Sequence, residues 1–379
     1  MKVFFITGNR SEYGLLKRLI KLVTKENSIH TFLFVTGDHL NKETNTITEI
    51  ENDNLKINGK IKCNPNDDSP LEILKSMGSE TIDLASHLDE IRPDIIIILG
   101  DRYEMLAVAI TSLILKIPLL HISGGEITEG SLDDTIRHSI TKLADYHFVA
   151  IEEFRKRVIQ LGESPKRVIT VGGMGIDAIK NLNLLDKKLV MNKLKIKNPN
   201  LPIILFTYHP NTAEKDTDEE CISILNALEN LKDINIILTY PNSDFESTKV
   251  INKIKFFVRK KENTYLFTSL GQLLYLSTLK ISSCIVGNSS SGITEAPYFG
   301  VTTINVGTRQ KGRPRCPSII DLNPRKDLIC DAIIKAINEK KEKYMIYGDS
   351  GASEKIVEFI KINKGNFVKK RGFHDINFN

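Results

Sequence analysis

IIIILGDRYEMLAVAITSLILKIPLLHI, residues 95–122, decides the fold. Ile95–Leu99 is an unbroken apolar run of β-branched residues, and Pro118–Ile122 is a second short one. Between them EMLAVAITSLILK has the length and amphipathic character of a helix. A strand with no polar alternation is buried on both faces, which is the signature of a parallel sheet covered by helices on either side. Upstream, Lys2–Thr7 runs into the helix-like YGLLKRLIKLVTK, then His30–Thr36, then a polar region to about Ser69. Downstream, Tyr146–Ala150 continues the alternation. The pattern predicts a doubly wound α/β domain.

The alternation then starts again. Pro202–Thr207, Asn235–Thr239, Thr264–Phe267, Ile281–Val286 and Thr302–Val306 read as strands, with stretches such as DEECISILNALENL as helices between them. A chain of 379 residues is long for one core. The division is read as 1–180 for the first domain, 181–362 for the second and 363–379 for a C-terminal tail. The joint lies between VGGMGIDAI and NPNLP, where Gly172, Gly173 and Gly175 supply turns ahead of a lysine-rich stretch. The helix of about Ser353–Ile362 and the tail are candidates to cross back to the first domain. Two such domains are expected to leave an interdomain cleft at the carboxyl ends of their strands, where ligands bind.

Composition narrows the function classes. A net charge of +5 suits a phosphorylated ligand better than a cation, but without a clustered basic patch it is no nucleic-acid footprint. The cysteines Cys63, Cys221, Cys284, Cys316 and Cys330 are odd in number and form no C-x-x-C pair, so reduced thiols in a cytoplasm are expected, with neither a disulfide framework nor a zinc site. MKVFFITGNRSEYG reads as a first strand and not as a signal peptide. Apolar runs such as Ile95–Leu99 are far too short to cross a bilayer, so no membrane is expected.

Three turns suit anions. After KVFFIT comes Gly8-Asn9-Arg10-Ser11-Glu12, a strand–turn–helix that sets a guanidinium beside free helix N–H groups. Its alternative is a Ser11 N-cap with a surface Arg10. It is not G-x-G-x-x-G, so a dinucleotide is not supported. After KISSCIVG come Asn288, Ser289, Ser290, Ser291 and Gly292, small residues that admit a pyrophosphate, with Glu295 one helical turn beyond Ser291 and placed to accept from ribose hydroxyls. Capping of an ordinary helix is the competing reading. The third turn, Gly307–Arg315, carries Arg309, Lys311, Arg313 and Arg315, which suit phosphates or a solvated basic loop equally.

Acid–base residues crowd into Gly100–Lys142. Asp101 ends one strand. Glu126 follows the Gly pair after PLLHI, and Asp133, Asp134, Arg137, His138, Thr141 and Lys142 open the next helix and its following turns. Ser131 and Asp134 also fit capping-box spacing, whereas Asp133 is not explained that way. Clustered carboxylates raise one another's pKa values, which suits proton abstraction from carbon and protonation of a leaving group. The spacing matches no common metal motif. In the second half His209 ends one strand, and TYPNSD, with Tyr240, Asn242 and Asp244, ends the next.

TGNRSEYGLL, LGDRYEMLA, HISGGEITEGSLDDTIRHSITKL, YHPNT, VGNSSSGITEAP and VGTRQKGR, in that order over nearly the whole chain, resemble the hydrolysing UDP-N-acetylglucosamine 2-epimerases of bacterial sialic-acid biosynthesis. The resemblance implies two Rossmann-like domains in the glycosyltransferase-B arrangement. It implies conversion of UDP-N-acetylglucosamine and water to N-acetylmannosamine and UDP: removal of the C2 proton, loss of UDP to give a 2-acetamidoglucal, then addition of water. No nicotinamide or metal is implied, and self-association as a homodimer or larger is. Carried over by residue, Arg10 contacts phosphate, Ser290, Ser291 and Glu295 hold the UDP phosphates and ribose, Asp101, Glu126 and Asp133 are the acid–base candidates, and His209, near the diphosphate, is counted with them as catalytic. His138, Asn242, Ser289, Gly292 and Arg309 complete the expected substrate contacts. Ser123 departs from the pattern, since some relatives carry a glutamate there in HIEGGE, and this moves weight onto Glu126. The alternatives are the same chemistry on UDP-N,N'-diacetylbacillosamine for legionaminic acid, a non-hydrolysing epimerase, a transferase of the same fold, and an inactive UDP-sugar-binding module.

Overall fold

The computed structural model describes the chain except residues 42–45, 64, 68, 130, 211–216, 242–246, 340–341, 350, 371 and 377–379. Seven strands form the first sheet: β1 Lys2–Thr7, β2 His30–Val35, β3 Gly59–Lys60, β4 Ile95–Leu99, β5 Leu119–Ile122, β6 Tyr146–Val149 and β7 Val168–Thr170. All pair in parallel in the order β3-β2-β1-β4-β5-β6-β7. The side-chain period of two sends Val3, Phe5, Ile95 and Ile97 into one core and Phe4, Ile6, Ile96 and Ile98 into another on the opposite face. Each face needs its own apolar cover, which is why these strands show no polar alternation.

The second sheet repeats the plan with β8 Ile203–Thr207, β9 Asn235–Thr239, β10 Thr264–Phe267, β11 Cys284–Gly287, β12 Thr302–Val306 and β13 Ile319–Leu322. Its order is β10-β9-β8-β11-β12-β13, again all parallel. Both sheets therefore have the doubly wound order in which the winding reverses beside the first strand, between β1 and β4 and between β8 and β11. β3, β7 and β13 are strands that apolar patterning does not reveal. All three are short edge strands, paired on one side only.

The chain folds into two units. The first holds Met1–Glu126, Asp133–Lys180 and Tyr347–Asn379; the second holds Ile127–Leu132 and Asn181–Ile346. Two boundaries differ from the sequence reading: Ile127–Leu132, read as part of the first domain, falls in the second unit, and the C-terminal boundary moves. The second unit ends at Ile346 rather than 362, because helix Ala352–Ile362 packs on helices Arg10–Thr24 and Met174–Lys180. Its Ile356 and Ile360 complete a first-unit core, and buried Asp177 accepts hydrogen bonds from the Gly351 and Ser353 N–H groups and the Ser353 hydroxyl. Of the three joint glycines, Gly175 lies inside helix Met174–Lys180 and not in a turn, while the Gly173 N–H donates to the Tyr347 carbonyl at 2.9 Å. Among the described residues no helix is long and apolar enough to cross a membrane.

Candidate active site

In the first unit the site is organised by Arg137. It sits on the second turn of helix Leu132–Leu143 and is 1% exposed. Its Nε donates to Asp101 Oδ2 at 2.9 Å and its Nη2 reaches the same oxygen. Its Nη1 donates to the Glu126 carbonyl at 3.0 Å and lies 3.4 Å from Asp134 Oδ1. One guanidinium thus ties the end of β4, the loop after β5 and the start of the following helix. A buried cation of this kind stays only where acidic and carbonyl oxygens surround it. Asp133 stands in the first turn of the same helix, part-buried. Asp134, whose spacing also fits a capping box, lies within ion-pair distance of both Arg137 and His138, the latter at 3.7 Å.

His138 is held below the ordinary histidine range, chiefly by burial and against the pull of Asp134, so it is neutral at pH 7. His121 is pushed down to about 3 by full burial. Its Nε2 lies 2.8 Å from the Gly100 carbonyl, which can only accept, so Nε2 carries the proton. His121 is a neutral packing bridge below the site. Ser123 takes a left-handed backbone (φ +69°) at the turn after β5, and its N–H donates to the Phe148 carbonyl at 2.9 Å.

The turn after β1 is capped by Asn9, whose Oδ1 accepts from the Glu12 N–H at 3.0 Å, and not by Ser11. Arg10 opens the helix, part-buried. Two carboxyls beneath this turn escaped the sequence reading. Glu12 accepts from the Gly8 N–H at 2.7 Å, and burial, reinforced by neighbouring Glu104, pushes it up to about 8. Glu104 is bound by both ends of the Arg102 guanidinium at 3.2 Å each.

In the second unit the organiser is neutral. Asn288 follows β11 and is 1% exposed. Its Oδ1 accepts from the His209 N–H at 2.7 Å and its Nδ2 donates to the His209 carbonyl at 2.8 Å. Both backbone groups of His209 are thereby fixed at the β8–β11 winding reversal. The Asn288 carbonyl in turn accepts from Gln310 Nε2 at 2.8 Å and Arg309 Nη1 at 3.3 Å. β8 and β11 approach so closely that a Cβ on Gly287 (φ +136°) would lie 2.0 Å from the Thr207 carbonyl oxygen. Ser289 accepts from the Ser291 N–H at 3.4 Å, Ser290 is exposed, and Gly292 packs on Thr303. Glu295 accepts from the Thr294 hydroxyl at 2.6 Å.

The basic loop is less available than its composition suggests. Lys311 pairs with Glu129 at 2.6 Å and Arg315 with Asp321 at 2.7 Å, which leaves Arg309 as the cation tied directly to Asn288. Asn242 and Asp244 lie outside the described residues. Arg137 and Asn288 stand in the sequence reading as a possible ligand contact and as part of an anion turn, but their organising roles, like Gln310 altogether, were passed over. An arginine one helical turn from Asp133 and Asp134 was the available signal for the first.

Two parallel doubly wound sheets, each with polar groups gathered where its winding reverses, define an α/β protein of two Rossmann-like units. Residues 21–361 match the family described as UDP-N-acetylglucosamine 2-epimerase, and the chain belongs to that family. A GDP/UDP-N,N'-diacetylbacillosamine 2-epimerase (hydrolyzing) from Campylobacter jejuni is 40% identical over 84% of this chain and 84% of its own length. The polysialic acid biosynthesis protein P7 of Escherichia coli is 36% identical over 97% and 93%. A UDP-N,N'-diacetylbacillosamine 2-epimerase (hydrolyzing) from Legionella pneumophila is 33% identical over 95% of both. The fold is also that of a UDP-GlcNAc 2-epimerase from Neisseria meningitidis solved with UDP-GlcNAc bound, at a TM-score of 0.81 and 19% identity over 96% of this chain and 100% of that one.

Proposed function

We propose that this chain is a hydrolysing 2-epimerase of a UDP-linked 2-acetamido sugar. The observation that carries the reading is the Arg137 clamp, which draws Asp101, Asp134 and the Glu126 backbone together in a chain of this family. One carboxylate takes the C2 proton, the C1–O bond to UDP breaks, and the electron pair becomes the C1=C2 bond of a 2-acetamidoglucal. Water then adds its hydroxyl at C1 while a carboxyl returns a proton to C2 from the opposite face. Asp101, Glu126 and Asp133 share these proton transfers. His209, Ser289, Ser290, Ser291, Gly292, Glu295 and Arg309 hold the UDP, with Arg10 on phosphate and His138 and Asn242 on the sugar.

UDP-N-acetylglucosamine, giving N-acetylmannosamine for sialic acid, is the substrate the motifs suggest. The relatives at 40% and 33% identity carry UDP-N,N'-diacetylbacillosamine in their names and favour that sugar as the second reading. Turnover of both UDP-sugars, with free UDP and free 2-epimerised sugar followed together, decides between them. Transfer of sugar to an acceptor, or an epimer still attached to UDP, contradicts the reading altogether.

A further inference from the structure

We propose that Glu12 is a positioning residue for Asp101: its carboxyl is the wedge on which the turns after β1 and β4 close. The proposal rests on the reading of Asp101 as a carboxylate that moves protons. Glu12 stands in the first turn of helix Arg10–Thr24, yet its side chain folds back beneath the preceding turn and is buried. Its Oε2 accepts from the Gly8 N–H at 2.7 Å, which fixes the end of β1. Its Oε1 faces the end of β4, 3.8 Å from where a Cβ on Gly100 would stand, and Gly100 is the residue before Asp101. One carboxyl thus sits against both strands of the winding reversal, where sheets of this kind bind ligands.

The surroundings are rich in other carboxyls. Glu104, at the start of helix Tyr103–Ile114, lies beside Glu12, and Arg102 closes on Glu104 with both Nε and Nη2. The turn after β2 packs on the same pair: a Cβ on Gly37 (φ +54°) would lie 2.7 Å from the Gly8 carbonyl oxygen and 2.9 Å from Glu104 Oε1. Fully buried Glu80 of helix Pro70–Ile91 and Asp38, after β2, add negative charge around Glu104. Among the described residues Glu12 Oε1 has no hydrogen-bond partner. A carboxylate buried with one hydrogen bond and acidic neighbours is costly, and the neutral acid is much less so. Glu12 accordingly keeps its proton at neutral pH. Once ionised it demands water or a cation, and the turns packed on it have to open, taking Gly100 and Asp101 with them. A shift of about 1 Å at a reacting group can cost on the order of 100-fold in rate.

The test is the pH dependence of kcat in the full chain and two variants. Glu12→Gln keeps the shape and the acceptor for the Gly8 N–H but never ionises. Glu12→Ala removes the wedge. Wild-type kcat is expected to fall at least ~10-fold as the pH rises through 8. Glu12→Gln is expected to match wild type at neutral pH and to lose that fall. Glu12→Ala is expected to lose roughly 100-fold in kcat with a smaller change in KM. A role in stability alone moves the melting curve and leaves the shape of the profile untouched. The same alkaline fall in wild type and Glu12→Gln, or a wild-type kcat that stays level through pH 8, overturns the proposal. If neither UDP-sugar is turned over, the functional reading fails, and carbon-13 NMR decides the proposal by itself. The glutamate carboxyl signal missing from Glu12→Gln is expected to titrate near 8, and at lower pH in Asp101→Asn, where one negative neighbour is gone. A midpoint unmoved by Asp101→Asn overturns it.

Discussion

In the first unit a buried arginine gathers acidic side chains around itself; in the second a buried asparagine ties two stretches of backbone together. Arg137 is charged, and its partners are Asp134, the Glu126 backbone carbonyl and Asp101, the last of them a carboxylate proposed to move protons. Asn288 is neutral, and its partner is the main chain of His209, proposed to stand by the diphosphate. The difference teaches a division of labour. On the proposed roles, a carboxylate that exchanges protons is held by a countercharge that fixes its orientation, whereas the cradle for a charged ligand is built from neutral hydrogen bonds whose partners do not titrate.

The comparison breaks most visibly at Arg137. Arg137→Ala takes from Asp101 and Asp134 the cation they share and is expected to cost about 3–5 kcal/mol of stability and, where the fold survives, more than ~1,000-fold in kcat. Thermal denaturation and UDP release measure the two; near wild-type values for both remove the organiser from the mechanism. Glu126→Gln keeps the backbone carbonyl that Arg137 uses and removes only the side-chain acid. Turnover is expected to fall roughly 100- to 10,000-fold with an unchanged melting curve, and normal turnover removes Glu126 from proton transfer. Asn288→Ala removes the two hydrogen bonds it makes to the His209 N–H and carbonyl, at a cost of about 1–3 kcal/mol. Here the loss is expected in KM and in UDP affinity by calorimetry more than in kcat. A loss confined to kcat erases the contrast between the units.

The smallest effect is one of pH. Glu12 titrates near 8 in the folded chain against an ordinary value of 4.5, because burial and then Glu104 disfavour its charge. The folded state therefore keeps a proton that the unfolded chain loses above 4.5. This contribution to stability is full below pH 4.5 and is lost as the pH rises through 8. Glu12→Gln is expected to flatten the decline in melting temperature between pH 5 and 8. An equal slope in wild type and variant shows that Glu12 is already ionised in the folded chain.

Much of this arrangement was legible in the sequence. The both-face apolar strands β1, β4, β8 and β9 announce a doubly wound fold, because a central parallel strand has no polar face to show. The edge strands β3, β7 and β13 did not show, being too short for a periodicity. The crossing of helix Ala352–Ile362 to the first unit depends on which core its apolar stripe completes, and the return to that core fixes a boundary that glycines at 172–175 do not mark. In the site, acidic density pointed to Asp101, Glu126 and Asp133, but density carries no direction. Only the fold sets Arg137 among them and Asn288 against His209, residues 79 positions apart in the chain. The basic loop misled for the same reason: a run of cations does not reveal that Glu129 and Asp321 already engage two of them.

The most direct measurement is NMR of the products formed from UDP-N-acetylglucosamine and UDP-N,N'-diacetylbacillosamine in deuterated water. Removal and return of the C2 proton through a glycal predicts, for at least one of them, one UDP released per free sugar formed, the sugar inverted at C2 and carrying deuterium there. Free sugar with its original C2 configuration and hydrogen, or inversion with UDP still attached, would contradict it.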